Sequence, residues 1–204
     1  MSSRPELARA LDGLAAADGR RRLVAIAGPP GAGKSTLAHD LYAELRHRGE
    51  TAAVVPMDGF HLDNRVLSEK GLLARKGAPQ TFDGDGFANL VRRIGAGERV
   101  YYPVFDRDRD ISIAGAAELS PDTDYVLFEG NYLLCDVPPW DGLLPLWSFT
   151  VFVDPGRDVI ARRLLQRWRD QGLSEQDAIR RRDGNDMPNA DFVLANSIVP
   201  DLRV

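Results

Sequence analysis

Residues 23–41 read LVAIAGPPGAGKSTLAHDL: five apolar residues, a turn of glycine and proline, one lysine, two hydroxyls, then the start of an apolar periodicity. A continuous apolar run without alternation fits a strand covered on both faces, the usual setting of a parallel sheet. After the turn, Leu37, Leu41 and Leu45 recur at helical spacing, and Gly49 follows as a natural C-terminal stop. A second apolar run, TAAVVPM (51–57), completes a strand–helix–strand unit, which predicts a parallel sheet with right-handed crossovers. YVLFE (125–129) and FTVFV (149–153) supply further strands of the same kind. The expected fold is a three-layer α/β/α sandwich around a mainly parallel sheet.

The turn itself is the most specific part. Gly28, Gly33, Lys34 and Ser35 satisfy G-x-x-x-x-G-K-[ST], in the strand-before, helix-after context that this pattern requires. Across Gly28-Pro29-Pro30-Gly31-Ala32-Gly33, the glycines let the backbone turn its N–H groups inward with no Cβ in the way. Those amides and the positive end of the following helix form a concave site for phosphates. Lys34 is placed to reach the β- and γ-phosphates, Ser35 to ligand Mg²⁺, and Thr36 to touch a further phosphate. The bland alternative is a glycine-rich linker. Against it, the chain has three lysines and twenty-three arginines, so a lysine at this one position is poorly explained as incidental surface charge. The reading is a nucleoside-triphosphate site of the P-loop NTPase type.

The remainder bounds the function. Length 204, 44% hydrophobic and 27% charged residues suit a single ordinary globular domain. A net charge of -4 gives no electrostatic footprint for nucleic acid. One cysteine, Cys135, excludes an internal disulfide framework, and no apolar run reaches the roughly 20 residues of a membrane helix. With no signal-peptide pattern at its start, the chain is expected in the cytoplasm, away from membranes. Residues 5–18 read as a short amphipathic helix, 87–98 as a helix, 100–105 as a strand, 156–172 and 174–184 as helices, and 190–197 as a last strand.

Two predicted strands end in an acid, Asp58 after the second and Glu129 at the end of YVLFE. In open α/β sheets ligands sit at the carboxyl ends of strands, so these carboxylates are candidates to hold Mg²⁺ or to take a proton from an attacking hydroxyl. Asp58-Gly59 also reads as a plain turn; Glu129 does so less well, because glutamate is no special turn former.

MDGFHLDN (57–64), TFDGDGF (81–87), YYPVFDRDRD (101–110) and LFEGNYLL (127–134) occur in the order shown by the phosphoribulokinase, uridine kinase and bacterial pantothenate kinase group of P-loop kinases. The resemblance spans about residues 21–199 and is strongest to small kinases ascribed to fructose transport systems. It implies one kinase domain over 1–204, with an acceptor-binding insertion at about 58–123 and a helical lid at about 156–188. It further implies Asp58 as general base, Glu129 on the magnesium side, and an acceptor pocket drawn from His61, Phe82, Asp83, Tyr102, Asp106 and Arg107. Asp83 reads equally as a helix cap, Tyr102 as a packed strand residue, and DRDRD as a solvated loop.

On the lid helix, Arg163 and Arg167 lie one turn apart on one face and are the choice for the γ-phosphate, with Arg162 as fallback. NDMPNADFVLANS resembles the segment that skirts the nucleotide base, although Asn185 and Asn189 read as well as Asx turns. The expected activity is ATP- and Mg²⁺-dependent phosphorylation of a small-molecule hydroxyl, a sugar such as fructose first. The alternatives are a nucleoside such as uridine, pantothenate, or a regulatory NTPase; a homodimer is left open.

Overall fold

The computed structural model describes residues 21–204. The helix expected at 5–18 lies outside these residues. Five strands form the main sheet: β1 (Arg22–Ala27), β2 (Ala52–Pro56), β5 (Tyr125–Gly130), β6 (Phe149–Phe152) and β7 (Leu202–Arg203), in the spatial order β2-β5-β1-β6-β7. All four pairings are parallel, with Ile26 opposite Glu129 and Val151. Each strand of the centre therefore meets helices on both faces, which is why its sequence lacks alternation.

The period of two still decides which core each side chain joins. Leu23, Ala25 and Ala27 of β1 and Val126 and Phe128 of β5 enter one apolar cluster. Val24 and Ile26, with Tyr125 and Leu127, enter the other, where helix α1 (Lys34–His47) lays Ala38, Leu41 and Leu45. Ile26 is completely buried, and truncation to Ala there is expected to cost about 2–5 kcal/mol. The first cluster is covered by α3 (Gly84–Gly95) and a 3₁₀ segment at Trp140–Leu146.

Between β2 and α3 lies a short helix, α2 (Asn64–Glu69). Strands β3 (Val100–Asp106) and β4 (Ile111–Leu119) then form a separate antiparallel hairpin. β4 was not foreseen, because ISIAGAAEL is a half-exposed strand of small residues with little periodic signal. Helix α3 begins three residues before the expected position, where Asp83 caps it by accepting from Gly86 N at 2.9 Å. A Cβ on Gly86 would stand 2.2 Å from the Asp83 carboxylate, so this cap demands glycine there.

The C-terminal third corrects the expectation of a strand at 190–197. After α4 (Arg157–Asp170) and α5 (Glu175–Arg181), a π-helical turn at Arg182–Asp186 leads into helix α6 (Met187–Asn196). Pro188 in its first turn is preorganised for a helix, and Met187, Ala190 and Val193 are buried at a spacing of three. A short apolar run such as DFVLA does not distinguish the two states by itself.

Candidate active site

The phosphate loop joins β1 to α1 at the carboxyl edge of the sheet. Gly28 (φ 148°) passes so close to the next strand that a Cβ would lie 2.4 Å from Val153 O. Gly33 (φ 108°) sits at the N-cap of α1, a conformation a side chain rarely adopts. No side chain caps α1 and its first turn contains no acid, so its leading N–H groups remain for an anion.

Lys34 crosses the loop: its Nζ donates to Pro29 O at 2.9 Å and to Asn131 Oδ1 at 2.7 Å. It is only 7% exposed, and burial holds its pKa below the ordinary lysine value, against the pull of Glu129 and Asp58. Glu129, also 7% exposed, is pushed the other way, above the usual carboxylate range, first by burial and then by Asp58; Lys34 and the Ser35 hydroxyl oppose the rise. Each partner thus makes the other's charge tolerable in a poorly hydrated place.

A cleft of about 820 Å³ opens over this loop. Pro30 to Thr36 form its floor, while Gly28 and Pro29 lie beneath, holding the turn against the sheet. One wall carries Asp58, His61, Phe82, Arg107 and Glu129, all expected in the site. Arg107 Nη2 donates to Asp58 Oδ2 at 2.5 Å. His61 is wedged between Phe82 and Phe105, with ring centroids 4.1 and 4.6 Å away, and one ring nitrogen lies 2.8 Å from Asp58 O. Burial keeps the His61 pKa below 6.5, with Asp58 opposing.

Three expected residues stand outside this wall. Asp83 is occupied as the cap of α3. Tyr102 is buried under the sheet and donates to Val54 O at 3.1 Å. Asp106 folds onto its own turn, accepting from Asp108 N, Arg109 N and Arg109 Nε. For Asp83 and Tyr102 the bland alternatives describe the contacts observed; for Asp106 the turn takes the carboxylate.

Of the lid arginines, Arg167 and Arg163 border the cleft and Arg162 does not. Arg163 Nη1 donates to Ala32 O at 2.7 Å and Gly31 O at 3.3 Å, so this guanidinium fastens α4 to the loop backbone. Arg167 and Arg181 lie on the Trp168 ring at 5.1 and 5.2 Å, and Trp168 Nε1 donates to the buried Asp186 at 2.5 Å. Asn185 and Asn189 do not make Asx turns. Asn185 Nδ2 donates to Lys76 O, and Asn189 Oδ1 accepts from Arg75, which also reaches Gly184 O at 2.8 Å.

Sequence reasoning also missed Asn131, Lys76 and Asp110. Lys76 Nζ is spent on Asn64 Oδ1 at 2.7 Å and on Asp110 Oδ1 and O, each at 2.9 Å. The scarcity of lysine that argued against an incidental charge at Lys34 applied equally to Lys76.

As to a metal, the Ser35 hydroxyl bonds the Glu129 carboxylate beside the loop, and Asp58 and Asp40 line the same cleft. Among the described residues no cluster of three or more His, Cys, Asp or Glu makes an all-protein cage. Mg²⁺ held by one or two protein oxygens plus substrate phosphates needs no more than this, so the residues fit.

The model of the "Phosphoribulokinase / Uridine kinase family" matches residues 23–195. The chain is 35% identical over 193 residues to the Schizosaccharomyces pombe protein named "Putative uridine kinase C227.14", covering 90% of this chain and 82% of that one. It is 29% identical over 150 residues to a pantothenate kinase of Enterococcus faecalis, covering 72% of this chain and 49% of the relative. A crystal structure from Silicibacter sp. TM1040, described as a "putative fructose transport system kinase", superposes with a TM-score of 0.94 at 47% identity, over 98% of this chain and 97% of that one. A phosphate loop at a parallel sheet edge and a match over nearly the whole described chain agree: the protein belongs to the phosphoribulokinase and uridine kinase family and is a kinase, a phosphotransferase acting on a hydroxyl group.

Proposed function

We propose that this kinase transfers the γ-phosphoryl group of ATP to a hydroxyl of a small sugar-like molecule, with Asp58 as general base. One observation carries the reading: Asp58 stands in the same cleft as Lys34 and the loop, close enough for both carboxylates to act on the lysine charge. The proton acceptor and the phosphate cradle thus face one space. The acceptor oxygen bonds to the γ-phosphorus as the bond to the β,γ-bridging oxygen breaks; the hydroxyl proton passes to Asp58, and ADP leaves.

Lys34 and the loop amides hold the phosphates, and Arg167 and Arg181, drawn against Trp168, bring positive charge over them. Ser35 and Glu129 would hold Mg²⁺, which neutralises phosphate charge when bound. His61 and Phe82 pack beside the acceptor. The fructose-system description of the 47% identical structure supports a sugar acceptor; uridine and pantothenate, named for the two other relatives, are the alternatives.

ADP release, measured with ATP and magnesium across sugars, sugar acids, nucleosides and pantothenate, tests the proposal. Stimulation by one small alcohol is expected. A rate indifferent to every compound would make the protein an NTPase and end the kinase assignment of Asp58.

A further inference from the structure

Lys34 donates to two partners that differ in kind. Pro29 O, at 2.9 Å, belongs to the phosphate loop itself; Asn131 Oδ1, at 2.7 Å, belongs to the segment that follows β5. In the sheet order β2-β5-β1, this segment lies between the end of β2, which leads into Asp58, and the loop that follows β1. Asn131 is half-buried and lines the cleft at that point.

The second bond does something the first does not. An ammonium nitrogen is tetrahedral and carries three protons. One hydrogen bond leaves the group free to spin about that bond; two fix the direction of the third N–H. With Pro29 and Asn131 both engaged, the remaining proton of Lys34 has a single aim. A water in place of Asn131 would accept a proton without fixing that aim.

Asn131 is itself held in one orientation. A side-chain amide has a donor end and an acceptor end, and only the acceptor end can serve a lysine. The Asn131 side chain also bonds the Tyr132 hydroxyl, and Tyr132 donates its own proton to Gly77 O at 2.5 Å. The Tyr132 oxygen is thereby left to accept, so it takes Nδ2 and turns Oδ1 toward Lys34. The Tyr132 ring is completely buried among Phe82, Trp140 and Phe192, which makes it a firm anchor.

We propose that Asn131, oriented by the Tyr132 hydroxyl, is the positioning residue of Lys34. It turns a lysine that binds phosphate into one aimed at the phosphoryl group during transfer. The inference rests on the phosphate-site part of the kinase reading and is independent of which acceptor is used.

ADP release from ATP and magnesium tests it in two arms. The first has no acceptor, so that water takes the phosphoryl group. The second adds whichever of the sugars, nucleosides and pantothenate stimulates most. Affinity for the β,γ-imido analogue of ATP is measured beside them by calorimetry. Asn131→Ala should lower kcat about 10- to 100-fold, the value of one hydrogen bond to a charged group, with affinity changed less than about threefold. Tyr132→Phe keeps the buried ring and should lower kcat about 3- to 10-fold. On a Lys34→Ala background, Asn131→Ala should cost nothing further, since the residue it positions is gone.

Losses that multiply in full on that background would mean that Asn131 acts by itself, and would overturn the inference. So would an affinity that falls as far as kcat, or a Tyr132→Phe protein that melts earlier yet turns over like the wild type. All three results leave the kinase reading standing. A rate that no acceptor raises would remove the kinase reading, while transfer to water still decides the role of Asn131. No ADP release in either arm would remove both.

Discussion

The phosphate side of the cleft comes from one stretch of chain and is mostly backbone; the proposed acceptor side comes from several stretches and is mostly side chain. Residues 28–36 shape the first with positive-φ glycines, an uncapped helix start and one buried lysine. The second unites Asp58 with Arg107, 49 positions away, Lys76 with Asp110, 34 away, and a ring stack of His61, Phe82 and Phe105. A site of backbone amides recognises what every triphosphate shares. A site of exchangeable ion pairs discriminates, because a wrong ligand leaves charges unpaired.

That difference predicts how each side breaks. The largest loss is expected from Asp58→Asn, which removes the proposed base while keeping the shape: kcat should fall about 10²- to 10⁴-fold with ATP affinity preserved. Steady-state kinetics beside calorimetry check it, and near-native turnover on the true acceptor would remove Asp58 from its role. Lys34→Ala should cost about 10²- to 10³-fold in transfer. Of its two hydrogen-bond partners, Asn131 lines the cleft and can take water, whereas Pro29 O is buried, so thermal stability should fall by about 1 kcal/mol, less than the loss in rate. Comparable losses in rate and folding would make the lysine a structural strut.

The same contrast explains what could be read from sequence. Motifs that act through contiguous backbone were legible: the loop, the strands beneath it, and Glu129 at the end of an apolar run. Asp58 was legible because strand ends are where such sheets bind ligands. Pairings across the chain were not. Nothing in DRDRD says that Asp106 will close its own turn while Arg107 crosses to Asp58 and Asp110 to Lys76. Likewise Asn185 and Asn189 looked like local turn formers, yet the π-helical turn and α6 aim them at residues 75–76. Local chemistry bounds what a side chain can do; the partner is fixed by topology.

Those asparagines tie the two sides together and give an intermediate effect. Arg75 spans Gly184 O and Asn189, Asn185 holds Lys76 O, and Arg181 donates to Ala74 O at 3.1 Å, so residues 74–76, on the proposed acceptor side, are fastened to the helices of the proposed lid. Arg75→Ala should destabilise the fold by about 1 kcal/mol. It should also raise KM for acceptor and nucleotide together, because the released segment carries Lys76 and the released lid carries Arg167 and Arg181. A change confined to stability would show that the tie is only structural.

The smallest effect concerns acid. Burial holds the His61 pKa below its ordinary value, so between the two the unfolded chain binds a proton that the folded chain does not. Stability contributed by the neutral ring is present above about pH 6.5 and is lost as pH falls through the lowered folded value. Lys76, from the segment between α2 and α3, and Arg107, from the hairpin turn, add to this by disfavouring a third positive charge, while Asp58 works against it. Thermal unfolding of the wild type should therefore weaken on acidification more steeply than that of His61→Phe, a ring that keeps the stack on Phe82 and Phe105 without titrating. Parallel pH profiles for the two proteins would mean that His61 charges in place, with Asp58 outweighing burial, and the acceptor wall would carry one more cation than its contacts suggest.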